Sequence, residues 1–67
     1  MIVLNGQDCE LRAGETVVDA LARLELDADA RGVAVAVDGE VVPRAQWRSF
    51  VLAHDARVEV LTAMQGG

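Results

Sequence analysis

Apolar residues along this chain alternate, then recur at helical spacing, then alternate again. Met1 to Leu4 is a short apolar run followed by Asn5-Gly6, a strong two-residue hairpin signal. A tight turn there pairs Leu4 with Gln7, Val3 with Asp8 and Ile2 with Cys9. Side chains alternate, so Ile2, Leu4, Cys9 and Leu11 share one face, and Val3, Asp8 and Glu10 the other. Ala13-Gly14 breaks the pattern. Thr16 then serves as an N-cap, with Asp19 completing a capping box and Glu15 and Asp19 suiting the helix dipole. Val17, Ala20, Leu21 and Leu24 form one stripe of a helix expected to end near Leu26. Asp19 and Arg23, four apart, are expected to pair on its far side.

The second half returns to period two. Val33 to Val37 reads as a strand, Asp38-Gly39 as a second hairpin turn, and Glu40 to Val42 as the returning strand, which Pro43 ends. Ala45 to Arg48 is expected to make a short turn that anchors Trp47, and Phe50 to Leu52 a short strand. Arg57 to Thr62 alternates charged and apolar residues as the last strand. Residues 1–62 therefore form an α+β domain, a mixed sheet of about five short strands on one helix, and residues 63–67 a tail. Nothing repeats internally.

Composition narrows the function. Sixty-seven residues make one small core, and at this size only about 60% of the unfolded chain's surface is buried. Half the residues are hydrophobic, too many for a disordered tail. Eleven acidic residues against six arginines give a net charge of −5, which disfavours a phosphate backbone as partner. No apolar stretch reaches the roughly 18 residues of a membrane span, and the N-terminus lacks the features of a signal peptide. A soluble, cytoplasmic protein is expected. One cysteine and one histidine leave little for enzyme chemistry or a metal centre.

Individual candidates fall away on physical grounds. Asp27 to Gly32 resembles the opening of a calcium loop, but Arg31 puts a cation where an oxygen ligand is needed. Cys9 lies on the core face, where a cysteine is a small inert hydrophobe. His54-Asp55 has no nucleophile nearby in sequence and reads as a turn, with His54 tolerating the left-handed region. Trp47 is expected in the core.

The Gly66-Gly67 end stands apart, since a terminal glycine pair arises by chance at about the one-per-cent level given ordinary glycine usage. Simple fraying is one account of it. The other makes the terminal carboxylate the reactive group, carried on a thin thread without Cβ atoms that enters a narrow active site. A carboxylate with a pKa of about 3.5 is an anionic nucleophile at neutral pH. Attack on the α-phosphate of ATP would give an acyl-adenylate open to a sulfur nucleophile. A neighbouring basic enzyme would supply the electrostatics.

These residues resemble the ThiS-type sulfur carriers of thiamin biosynthesis, which have the ubiquitin-like β-grasp fold. The resemblance covers nearly the whole chain. It rests on Asn5-Gly6, on Thr16 to Leu21, on Val35 to Arg44 with Trp47, on Asp55 to Val60, and on Gly66-Gly67. Two positions depart from it: the family usually has Asn where Asp38 stands and Gly where His54 stands. The resemblance implies a carrier, not an enzyme, with no bound cofactor. A partner adenylyltransferase of the ubiquitin-activating type would use ATP on the carboxylate of Gly67, with Gly66, Gln65 and Met64 threading into its active site. A cysteine desulfurase persulfide would supply sulfur, giving a thiocarboxylate that thiazole synthase consumes.

If Val33, Val35 and Val37 face the helix, then Ala34, Ala36 and Val41 face outward. With Val3 they would form an apolar patch for a partner, although exposed alanines are also ordinary. Three other readings remain open: a carrier for another pathway, such as a molybdopterin synthase small subunit or a tRNA-thiolation carrier; a ubiquitin-like protein modifier; and a β-grasp binding module with an inert tail. The absence of lysine leaves no amine on this surface to attack an activated terminus, and a GC-rich coding bias explains it equally.

Overall fold

The structure is a computed structural model that describes residues 1–29 and 31–63. Its elements are β1 (Ile2–Leu4), β2 (Gln7–Cys9), α1 (Val17–Arg23), β3 (Val33–Val37), β4 (Glu40–Val41), a 3-10 turn (Arg44–Gln46) and β5 (Arg57–Thr62). The strands form one sheet in the order β2-β1-β5-β3-β4. β1 and β5 run parallel at its centre, and every other pairing is antiparallel. This mixed five-strand sheet on one helix is the ubiquitin-like β-grasp, as expected.

Both hairpins form as their turn residues dictate. Ile2 pairs with Cys9 and Leu4 with Gln7, around Asn5 and Gly6 at φ 49° and 81°. Val37 pairs with Glu40 around Asp38 and Gly39 at φ 51° and 85°. Two successive positive φ values match the right-handed twist of the flanking strands, and Asn, Asp and Gly tolerate them best. β2 and β4 are shorter than expected. Val42 lies outside β4, yet its N–H still donates to Val35 O at 2.8 Å and its side chain is buried.

The core fills the space between the sheet and α1. Ile2, Leu4, Val35, Val37, Val58 and Val60 come from the strands, and Val17, Ala20 and Leu21 from the helix. Trp47 closes one end, 2% exposed, with its indole N–H donating to Val42 O at 2.8 Å. That bond satisfies the one polar atom of an otherwise apolar group. The Arg44 guanidinium lies 4.5 Å from the Trp47 ring centroid and donates to Ala28 O, tying the turn to the loop after the helix.

Four local expectations are corrected. The helix ends at Arg23, not near Leu26, because Glu25 enters the left-handed region at φ 60°. Leu26 N then donates to Leu21 O at 2.9 Å and Glu25 N to Ala22 O at 3.0 Å, a Schellman closure. Leu24 is consequently a half-exposed cap residue, and Leu26 packs against the core in its place. Arg23 does not pair with Asp19, whose carboxylate accepts the Thr16 N–H at 2.8 Å in the capping box. It pairs with Glu15 at 2.7 Å instead. Residues 50–52 form no strand, only a bridge between Val51 and Thr16, with Val17 N bonded to Phe50 O and Leu52 N to Glu15 O. Asp55, not His54, takes the left-handed position at φ 65°, and its N–H donates to Met1 O.

Candidate functional site

β5 leads to the chain's glycine end, and both of its neighbours hold it. On the β1 side, Asn5 N donates to Val58 O at 2.9 Å, and Asn5 Oδ1 accepts the Val60 N–H at 2.7 Å. The turn residue thus adds a side-chain rung where the β1 backbone has already turned away. On the β3 side the ladder runs from Val37↔Val58 to Val33↔Thr62. One further bond, Ala63 N to Gly32 O at 2.6 Å, extends it beyond the strand. At the opposite end Asp38 exchanges two bonds with Arg57, through its N–H at 2.8 Å and its Oδ1 at 2.9 Å. The Asn that the resemblance places at position 38 has the same acceptor and the same tolerance for positive φ.

The expected reactive group is on Gly67 and the expected threading segment is Gly66, Gln65 and Met64. All four lie outside the described residues. The expected tail, 63–67, begins with a residue that is still hydrogen-bonded to the domain.

On the outer face of the sheet, Ala36 stands opposite Val41 on one side and Glu59 on the other, and Ala34 stands opposite Leu61. Val41 and Leu61 are 76% and 67% exposed. Three residues of the expected patch, Ala34, Ala36 and Val41, are therefore neighbours. Val3 is half-buried on β1, paired with Arg57 and separated from the alanines by β5. Leu61 was missed in sequence. Its signal was there: it sits in phase with Arg57 and Glu59, outward, not with the buried Val58 and Val60. A shallow depression lined by Val3, Asn5, Gly6, Arg57, Glu59 and Leu61 adjoins this patch along β1 and β5.

A second, polar depression lies between the first hairpin and the helix, lined by Glu10, Arg12, Glu15, Asp19 and Arg23. Glu15 organises it. Its Oε1 accepts the Arg12 N–H at 3.1 Å and an Arg23 N–H at 2.7 Å, while its backbone joins the bridge to Leu52. The hydrogen bond it donates to the Glu15 carboxylate holds the Arg23 guanidinium above its ordinary pKa range. Glu15 is nearly buried and fastens three segments together, which is a structural task.

Cys9 is half-buried against the core, on the face expected for it. His54 Nδ1 lies 3.3 Å from Asp55 Oδ1, both side chains being strongly exposed. Among the described residues no group of three or more His, Cys, Asp or Glu side chains is placed to hold a metal ion. Nor is any helix among them long and apolar enough to cross a membrane.

The sequence model of the ThiS family matches residues 2–67. The chain belongs to the ThiS family. It is 30% identical to the sulfur carrier protein ThiS of Escherichia coli strain K12, over 98% of this chain and 97% of that protein. The fold is similar to the crystal structure of the thiamine biosynthesis protein ThiS from Geobacter metallireducens. The TM-score is 0.73 at 29% identity, covering 98% of this chain and 97% of the other. An NMR solution structure of a thiamine biosynthesis protein from the same organism gives 0.71 at 27% identity, covering 98% and 86%. As a member of this family the chain is a small sulfur carrier of thiamine biosynthesis and not a catalyst.

Proposed function

We propose that sulfur is carried on the C-terminal carboxylate of Gly67. The observation that carries this reading is the extent of the family match, which runs through residue 67 and includes the glycine pair. A partner adenylyltransferase of the ubiquitin-activating type binds the domain. One carboxylate oxygen attacks the α-phosphorus of ATP, forming the acyl-adenylate and expelling pyrophosphate. The terminal sulfur of a persulfide, made by a cysteine desulfurase, then attacks the acyl carbon and AMP leaves. A thiol cleaves the resulting acyl disulfide, becoming part of a disulfide itself and freeing the thiocarboxylate. Thiazole synthase is the acceptor of that sulfur, in the cytoplasm. The chain binds no cofactor; ATP belongs to the partner.

Gly66, Gln65 and Met64 are the residues that enter the partner's active site. Without Cβ atoms the last two positions pass a constriction that other residues would block. The adenylyltransferase docks on Ala34, Ala36, Val41 and Leu61, with Val3 at the margin across β5. Two observations support this placement. The patch holds exposed apolar groups on a small domain. It is also continuous with the root of the tail, because Leu61 stands two residues before Ala63.

The test is alkylation and peptide mass analysis after incubation with ATP, cysteine and an extract of the source organism. Intact mass is a poor readout, because replacing oxygen with sulfur nearly equals oxidation of Met1 or Met64. Cleavage after Arg57 isolates Val58–Gly67 from Cys9. An ATP-dependent alkylated thiol on that peptide is expected. Its absence, in an extract that charges a known carrier, would leave a β-grasp binding module with an inert tail.

A further inference from the structure

We propose that Asn5 and Gly32 are positioning residues for the tail, holding β5 in register from both sides so that Ala63 is the fixed point from which the carboxylate is presented. The proposal deepens the carrier reading and rests on it. Two hydrogen bonds carry it, a side-chain rung on the β1 side and, on the β3 side, the ladder's next rung beyond the strand. Asn5 Oδ1 takes the Val60 N–H at 2.7 Å, where β1 has ended and the amide would otherwise lack a main-chain partner on that side. Gly32 O takes the Ala63 N–H at 2.6 Å, one residue beyond β5. Gly32 adopts φ 70°, a conformation that glycine enters without steric cost.

The consequence is a defined reach. Four residues carry the chain from the Ala63 rung to the Gly67 carboxylate, a segment that can span at most about 14 Å. A partner site can then be matched to that span. Releasing the end of β5 adds residues 60–63 to what binding must order and weakens productive binding, while the bound complex reacts unchanged. That predicts a raised KM with kcat unchanged.

Asn5→Gly separates the two roles of Asn5, since glycine keeps the positive-φ turn and removes the acceptor; Asn5→Asp keeps both. In competition in the same extract, isotopically labelled Asn5→Gly is expected to charge about five-fold more slowly than unlabelled wild type, the factor carried by one net hydrogen bond. Alone at saturation it should charge at the wild-type rate, and Asn5→Asp should restore competition. An equal share in competition, or an equal loss at saturation, would overturn the proposal. Amide exchange of the unmodified protein tests it without a variant. Val60 and Ala63 should be protected like Val58, and a fast Ala63 amide would also overturn it. Failure of the wild type itself to charge would instead refute the carrier reading, and this proposal with it.

Discussion

The two faces of the sheet are built from the same strands and differ in almost every property. Val35, Val37, Val58 and Val60 point toward α1 and are at most 8% exposed. Their sequence neighbours Ala34, Glu59 and Leu61 point outward and are exposed. The inner face is closed by Trp47 and the helix, whereas no described element covers the outer one. The contrast separates two tasks. Stability resides in the inner residues, which the chain itself packs, whereas the outer residues carry the proposed docking patch.

The sharpest way to break this division is at Trp47. Trp47→Ala removes the largest buried side chain and leaves Val42 O without its donor, at a cost of about 3–5 kcal/mol from the cavity alone. A domain of this size has about 3–10 kcal/mol in total, so a large fall in thermal midpoint is expected by circular dichroism. A midpoint within a few degrees of wild type would show that the inner face does not depend on this anchor.

A smaller effect is expected at the rim, where Asp38 joins β3 to the start of β5. Asp38→Ala loses the acceptor for Arg57 N and puts alanine at positive φ, together about 2–3 kcal/mol. Asp38→Asn should stay within about 0.5 kcal/mol of wild type, because the amide oxygen accepts the same bond. Denaturant titrations of the pair would distinguish turn geometry and acceptor from charge. Equal losses in both variants would point to charge.

The smallest change in stability belongs to the outer face. Ala36→Asp places a charge opposite Glu59, so at most about 1 kcal/mol of stability is lost. Activation by the adenylyltransferase should nevertheless fall sharply, read as thiocarboxylate formed per unit time. Unchanged activation would remove the docking role from this patch and leave the two faces distinguished by packing alone.

Much of this was legible because it is local. Asn5-Gly6 and Asp38-Gly39 fix hairpin registers through residues adjacent in sequence, and the period of Val33 to Val37 assigns its two faces. The errors arose where partners are distant or where two local partners compete. Asp19 could serve either Arg23 four residues on or the Thr16 amide; it caps the helix, while Arg23 reaches Glu15, eight residues back in sequence. Leu24 fitted the helical stripe, but the Schellman closure brought Leu26 to the core instead. Asp55 took the position expected of His54 in the same turn.

The two turns, the strand faces, the buried tryptophan and the glycine end that marks the family are written into the order of residues along the chain. Those follow from residue type and spacing within a few positions. That β5 lies between β1 and β3 is settled in three dimensions, and it brings Asn5 to Val60 across 55 residues and sets Leu61 beside the alanines. A side-chain rung of that kind depends on which strands become neighbours. That choice is made by burying one face of every strand against a single helix, and no short window of residues contains it.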